Sequence, residues 1–133
     1  MSNIDRMLAE SRERLVRVDP AEAAALVAAG GLLVDIRPAA QRAEWGEVPG
    51  ALIVERNVLE WRFDPTGPDH LAEAADPNRL VIVMCQEGYT SSLAAAALLD
   101  IGRTSVTDLR GGFLAWLEAE LPTKLHGGVA SGG

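Results

Sequence analysis

The chain carries one cysteine, Cys85, inside the stretch "VIVMCQEGYTSSLAAAALL", residues 81 to 99. A wholly apolar run precedes it, and a run rich in alanine and leucine follows. Between them lie Gln86, Glu87, Gly88, Tyr89 and Thr90, then Ser91. A free cysteine is often no more than a small buried hydrophobe. A thiolate at the mouth of a helix is a nucleophile. The position favours the second. A short loop between a strand and a helix turns backbone N–H groups inward, and Gly88 allows a bend that a side chain would block. A helix opening near Thr90, Ser91 or Ser92, all good capping residues, adds unpaired donors and partial positive charge. Together they cradle an anion. The same field favours thiolate over thiol and would hold a sulfur anion bound to it.

A loop of this kind works only on a rigid frame, and the pattern of the chain supplies one. Residues 4–15 read as a helix from Ile4, Met7, Leu8 and Leu15. It packs on the domain as a lid or serves as a dimer contact. "LVRV" reads as a first strand. Asp19-Pro20-Ala21-Glu22 opens a helix, with Asp19 as cap, Pro20 at the first position and Glu22 three residues on. Gly30-Gly31 ends it. "LLVDI", "ALIV", "LVIVM" and "SVTDL" follow as strands, and the most apolar, "LVIVM", belongs at the centre. "PAAQRAEW", "RNVLEWRF", "SSLAAAALLDI" and "GGFLAWLEAEL" read as helices. This alternation predicts an α/β domain with a central five-stranded parallel sheet and helices on both faces. The expected divisions are a helical extension at 1–13, the domain at 14–122 and a flexible tail at 123–133. Cys85 then stands at the carboxyl edge of the sheet, where open parallel sheets bind ligands.

Composition narrows the function. At 133 residues and 48% hydrophobic, the chain suits one domain with a core of its own. A net charge of −7 argues against nucleic acid, whose phosphates need a basic surface. One cysteine and two histidines, His70 and His126, exclude a disulfide framework and argue against a zinc site. No apolar stretch is long enough to span a membrane, and the charged N-terminus lacks a secretory signal. The expectation is a cytoplasmic protein whose thiol stays reduced. Trp45, Trp61 and Trp116 read as core or pocket wall.

Motifs in order along the chain resemble the rhodanese-like family of single-domain sulfurtransferases. "VDIR" contains Asp35 and Arg37. "GEVPGA" at 46–51 is similar to the family's Gly-His-Ile-Pro-Gly-Ala stretch. "CQEGYT" matches its six-residue active loop in length and in the place of Gly88, and "LRGGFLAW" at 109–116 is similar to its Gly-Gly-aromatic-x-x-Trp segment. The resemblance implies that Cys85 is catalytic and takes sulfur from a small donor such as thiosulfate or a persulfide. The resulting persulfide then passes sulfur to cyanide, a thiol or a thiol protein. It implies an anion-binding loop of Gln86, Glu87, Gly88, Tyr89, Thr90 and Ser91, with no metal or organic cofactor.

Departures from the family pattern shift these expectations. Thr90 stands where many loops end in arginine. Gln86 and Glu87 replace basic residues common in thiosulfate users, so Glu87 should repel that dianion. Glu47 stands where the family usually has histidine. Arg37, Arg56 and Arg110 each follow a strand and are candidates to bind an anionic donor, although Arg37 has Asp35 and Glu44 as nearby partners. Two other functions compete. A phosphatase or arsenate reductase needs an arginine clamp where this chain has Ser91. A non-catalytic binding or regulatory module would keep the fold without turnover.

Overall fold

The computed structural model describes residues 1–126 and the backbone of residues 130–131. Four parallel strands form the sheet: β1 (Leu32–Asp35), β2 (Leu52–Ile53), β3 (Val81–Met84) and β4 (Val106–Asp108), in the order β2-β1-β3-β4. β3 is central and every one of its residues is buried, as its apolar sequence requires. Its side chains alternate between two cores. Val81, Val83 and Cys85 pack with Leu59, Phe63, Ala94 and Leu98. Ile82 and Met84 pack on the other face with Leu109, Phe113 and Trp116.

The expected fifth strand is absent from this sheet. "LVRV" reduces to a single parallel bridge between Val18 and Leu109. Two contacts with β4 flank the point where the pairing stops. The Val16 carbonyl accepts from the Thr107 hydroxyl at 2.7 Å, and Arg17 turns inward to Asp108 at 2.8 Å. One residue later Asp19 already caps a helix.

The helices are α1 (Asn3–Glu13), α2 (Pro20–Ala28), α3 (Ala39–Trp45), α4 (Leu59–Phe63), α5 (Thr90–Asp100) and α6 (Gly112–Glu118). α2 begins with the capping box read from the sequence: Asp19 accepts from the Glu22 amide at 2.8 Å, and Glu22 accepts from the Asp19 amide at 3.1 Å. α4 and α5 cover one face of the sheet, and α6 lies on the other. α1 lies against α5 without a buried residue of its own. Trp116 is buried and donates to Pro122 O at 2.9 Å. Trp45 and Trp61 are largely exposed instead, so they belong to neither core.

Part of the expected tail is tied to the domain. β5 (Thr123–Lys124) pairs antiparallel with β6 (Ala130–Ser131), and Lys124 exchanges backbone hydrogen bonds with Glu47. Residues 127–129 and 132–133 of that expected tail lie outside the described residues. Glu47 is the anchor. Its buried carboxylate accepts from Arg42 at 2.9 Å and meets His126 Nδ1 at 2.7 Å. Burial alone pushes this carboxyl up. Hydrogen bonds and charge from His126 and Arg42 outweigh it and hold the group below its ordinary value. A carboxyl lowered on folding stabilises the fold above its unfolded value, and the effect is lost as pH falls through the folded value. Urea unfolding of the parent and Glu47→Gln should therefore show a parental advantage that shrinks as pH drops from about 5 toward about 3. An advantage unchanged across that window would mean that the charge of Glu47 does not hold the segment.

Candidate active site

β1, β3 and β4 end side by side: Asp35 is in register with Met84, and Val83 with Asp108. Cys85 continues β3 past this edge on the side of α5. Its Sγ accepts the Gly88 N–H at 3.2 Å, which closes the loop over the sulfur. An open cavity of about 240 Å³ adjoins the thiol, lined by Gln41, Cys85, Gln86, Glu87, Tyr89 and Thr90.

Three loop carbonyls, those of Cys85, Gln86 and Gly88, have partners on the outer side of the loop. Phe113 N donates to Cys85 O at 2.9 Å and Leu114 N to Gln86 O at 3.1 Å. Both donors belong to the first turn of α6, whose free N–H groups need acceptors. Gly88 O accepts from Arg12 and Arg17, each at 2.8 Å. No peptide bond is cis among the described residues, and in a trans peptide the N–H points opposite the C=O. The N–H groups of Gln86, Glu87 and Tyr89 therefore turn toward the inside of the loop, beside that of Gly88. The donors that this arrangement turns inward are backbone groups.

Two buried acids brace the cradle. Asp108 accepts from Ser91 Oγ at 2.7 Å, Ser92 Oγ at 2.8 Å and Arg17 Nε at 2.8 Å. Asp35 accepts from Arg37 Nε and Nη2, at 3.0 and 2.8 Å to its two oxygens. Arg37 also donates to Gly46 O at 2.8 Å and to Gln86 Oε1 at 2.9 Å. Arginine can only donate, so this bond fixes the orientation of the Gln86 amide. Its Nε2 is buried with no partner among the described residues.

These contacts revise several expected roles. Arg37 is 1% exposed and its donors are committed to protein groups, with Phe113 stacked 4.1 Å from its guanidinium. It does not line the cavity. Ser91 neither lines the cavity nor caps α5, because its hydroxyl turns to the buried Asp108. Arg56 pairs with Glu60 at 2.7 Å, and Arg110 is exposed and reaches Arg17 O at 3.4 Å; neither lines the cavity. His70 bonds to Gly67 O at 2.7 Å, within its own loop. Gln41, Asp108, Arg12 and Arg17 were not singled out in the sequence. Asp108 had a usable signal, since a lone acid closing the apolar strand "SVTD" must find partners when buried. The two arginines gave none, being spaced like solvent-facing charges.

The Rhodanese-like domain family profile matches residues 19–119, and the chain belongs to that family. Thiosulfate sulfurtransferase GlpE of Stutzerimonas stutzeri (strain A1501) is 36% identical over 100 residues, covering 75% of this chain and 83% of that protein. A sulfurtransferase of Allochromatium vinosum is 35% identical over 91 residues, 68% of this chain and 76% of that protein. Among solved structures, RPA3614 of Rhodopseudomonas palustris CGA009 superposes with a TM-score of 0.84 at 30% identity. The match covers 93% of this chain and 96% of that one. RPA3614 is described as a protein of unknown function and a possible tyrosine phosphatase.

Gly88 carries the tightest constraint in the loop. Its φ is +87°, and a Cβ there would lie 2.6 Å from Gly111 N. Gly88→Ala should lower unfolding free energy by about 2–4 kcal/mol in urea titration, from backbone strain plus collision with a backbone that has no room to move. A loss under about 0.5 kcal/mol, the range of an ordinary surface change, would show that the loop is not held in this conformation.

Proposed function

We propose that the protein is a sulfurtransferase that carries sulfane sulfur on Cys85. The observation that carries this reading is the thiol beside an open cavity, inside a loop whose N–H groups turn inward because its carbonyls are bound outside. The Cys85 thiolate attacks the outer sulfur of the donor. The donor's S–S bond breaks, and its electron pair leaves on sulfite, or on a thiolate when the donor is a persulfide. The new persulfide carries negative charge on its outer sulfur, and the loop N–H groups stabilise it. An acceptor thiolate or cyanide then attacks that sulfur, and Cys85 departs as thiolate. Neither half-reaction calls for a metal or organic cofactor. The identity to GlpE supports the reaction class. A lone thiol that must stay reduced suits the cytoplasm. With no second cysteine to resolve the persulfide, sulfur leaves to a separate thiol, thiol protein or cyanide.

Phosphoryl transfer is disfavoured by Ser91, which stands at the position of an anion-clamping arginine and is bound to Asp108. A binding module without turnover is separated from the enzyme by experiment. Intact mass of the reduced protein should rise by one sulfur atom after thiosulfate or a small persulfide, and cyanide should remove it. Cys85→Ser should take up none while keeping its fold by circular dichroism. If no donor loads the parent, the transfer chemistry is wrong; if Cys85→Ser unfolds, the thiol is a core residue.

Donor choice follows from charge. Glu87 is exposed on the cavity wall, and none of Arg37, Arg56 and Arg110 lines it to offset that charge. Glu87→Lys should raise kcat/KM for thiosulfate roughly tenfold at low ionic strength, with the gain fading in salt. An unchanged rate would remove Glu87 as the determinant.

A further inference from the structure

Two arginines that precede residue 19, where the family match begins, converge on one carbonyl oxygen of the loop. Arg12, on α1, donates from Nη2 to Gly88 O at 2.8 Å and from Nε to Ser92 Oγ at 3.1 Å. Arg17, beyond the end of α1, donates from Nη2 to the same Gly88 oxygen at 2.8 Å and holds Asp108 through Nε at 2.8 Å. The Arg12 guanidinium also lies 5.6 Å from the centroid of the Tyr89 ring. From this convergence we infer that Arg12 and Arg17 are positioning residues for sulfur transfer, clamping the Gly88 carbonyl from behind so that the loop's N–H groups stay aimed at sulfur on Cys85. The inference rests on the sulfurtransferase reading proposed above.

Three observations carry it. First, α1 buries no residue fully, and two of Arg12's bonds reach the active loop and the start of α5. Second, two cations on one neutral oxygen is a costly way to tie down a helix, because like charges repel at that range. The buried Asp108 offsets part of that cost by pairing with Arg17, and the same carboxylate takes both serine hydroxyls of α5. Third, the geometry falls on the one residue where it matters. Gly88 gives its N–H to Cys85 Sγ, and its C=O belongs to the peptide whose N–H is that of Tyr89. Charge-assisted bonds to that C=O polarise the peptide and make the Tyr89 N–H a stronger donor toward the cavity. The clamp therefore acts on both orientation and donor strength, through the loop and without touching substrate.

The test uses the full chain with Arg12→Gln, Arg12→Lys and, as control, Arg14→Gln. Arg14 is the C-cap of the same helix and ties it to α5 through Asp100 at 2.8 Å, on the exposed surface away from the loop. Three quantities are read: the rate of Cys85 sulfur loading at saturating donor, amide hydrogen exchange across residues 85–91, and the thermal unfolding midpoint. Arg12→Gln should slow loading by about tenfold or more, since small misplacements of catalytic groups cost that much, and should speed exchange in the loop while the protein stays folded. Arg12→Lys should recover part of both, and Arg14→Gln should stay within about twofold of the parent on both. Parental loading and exchange in Arg12→Gln would overturn the clamp, as would equal losses in Arg14→Gln. If Arg12→Gln does not fold, Arg12→Lys decides, with an intermediate rate supporting the clamp and a parental rate overturning it. If the parent loads no sulfur from thiosulfate or a persulfide, the functional reading fails, and loop exchange alone still supports or overturns the clamp.

Discussion

The site depends on where the carbonyls of Cys85, Gln86 and Gly88 are bound. A loop can point several N–H groups at one anion only if the matching C=O groups have partners on its outer side, because buried backbone groups without partners are costly. Here those partners come from two directions. The first turn of α6 takes Cys85 O and Gln86 O, and the arginines before α2 take Gly88 O. Gly111 and Gly112 make the first approach possible. A Cβ on Gly112 would sit 2.5 Å from Cys85 O, and one on Gly88 would strike Gly111 N. Three glycines in two segments thus let two backbones meet with nothing between them.

Behind this contact stand two acids at adjacent strand ends, each solving a different problem. Asp35 fixes Arg37, and Arg37 fixes the Gln86 amide and Gly46 O. Asp108 gathers Ser91, Ser92 and Arg17 and so joins the start of α5 to the segment that precedes α2. A buried charge stays only where partners surround it, and both acids meet that condition with several donors each. The arrangement spends its side-chain cations on structure. The cavity is left with backbone donors and the N-terminus of α5.

This division explains what the sequence disclosed. Local patterns were legible: the capping box at Asp19, the central place of β3, and the loop after it with Gly88 at its bend. They depend on neighbours in the chain. The family motifs marked Cys85 and the Gly111-Gly112 pair. The first strand was misjudged because "LVRV" has strand composition, while Thr107 and Asp108, some ninety residues away, draw off its carbonyl and its arginine. Ser91 looked like a cap for the same reason: nothing nearby in sequence announced Asp108. Arg37, Arg56 and Arg110 were placed correctly relative to strands, but a strand-end position does not say whether a long side chain turns toward the cavity or toward a closer carboxylate.

The charge left at the cavity follows from those same contacts. Arg37 is neutralised by Asp35 and Arg56 by Glu60, while Arg12 and Arg17 act from behind the loop on the Gly88 carbonyl. Glu87 is the charged side chain on the cavity wall. On the sulfurtransferase reading, that carboxylate repels a dianionic donor, and it repels less a donor whose charge is remote from the outer sulfur. On the sulfurtransferase reading, a persulfide on Cys85 is a monoanion inside the ring of N–H groups, and the field of the arginines reaches it through the polarised 88–89 peptide. On that reading entering and bound sulfur meet different parts of the site: side-chain charge filters what arrives, and backbone dipoles hold what stays.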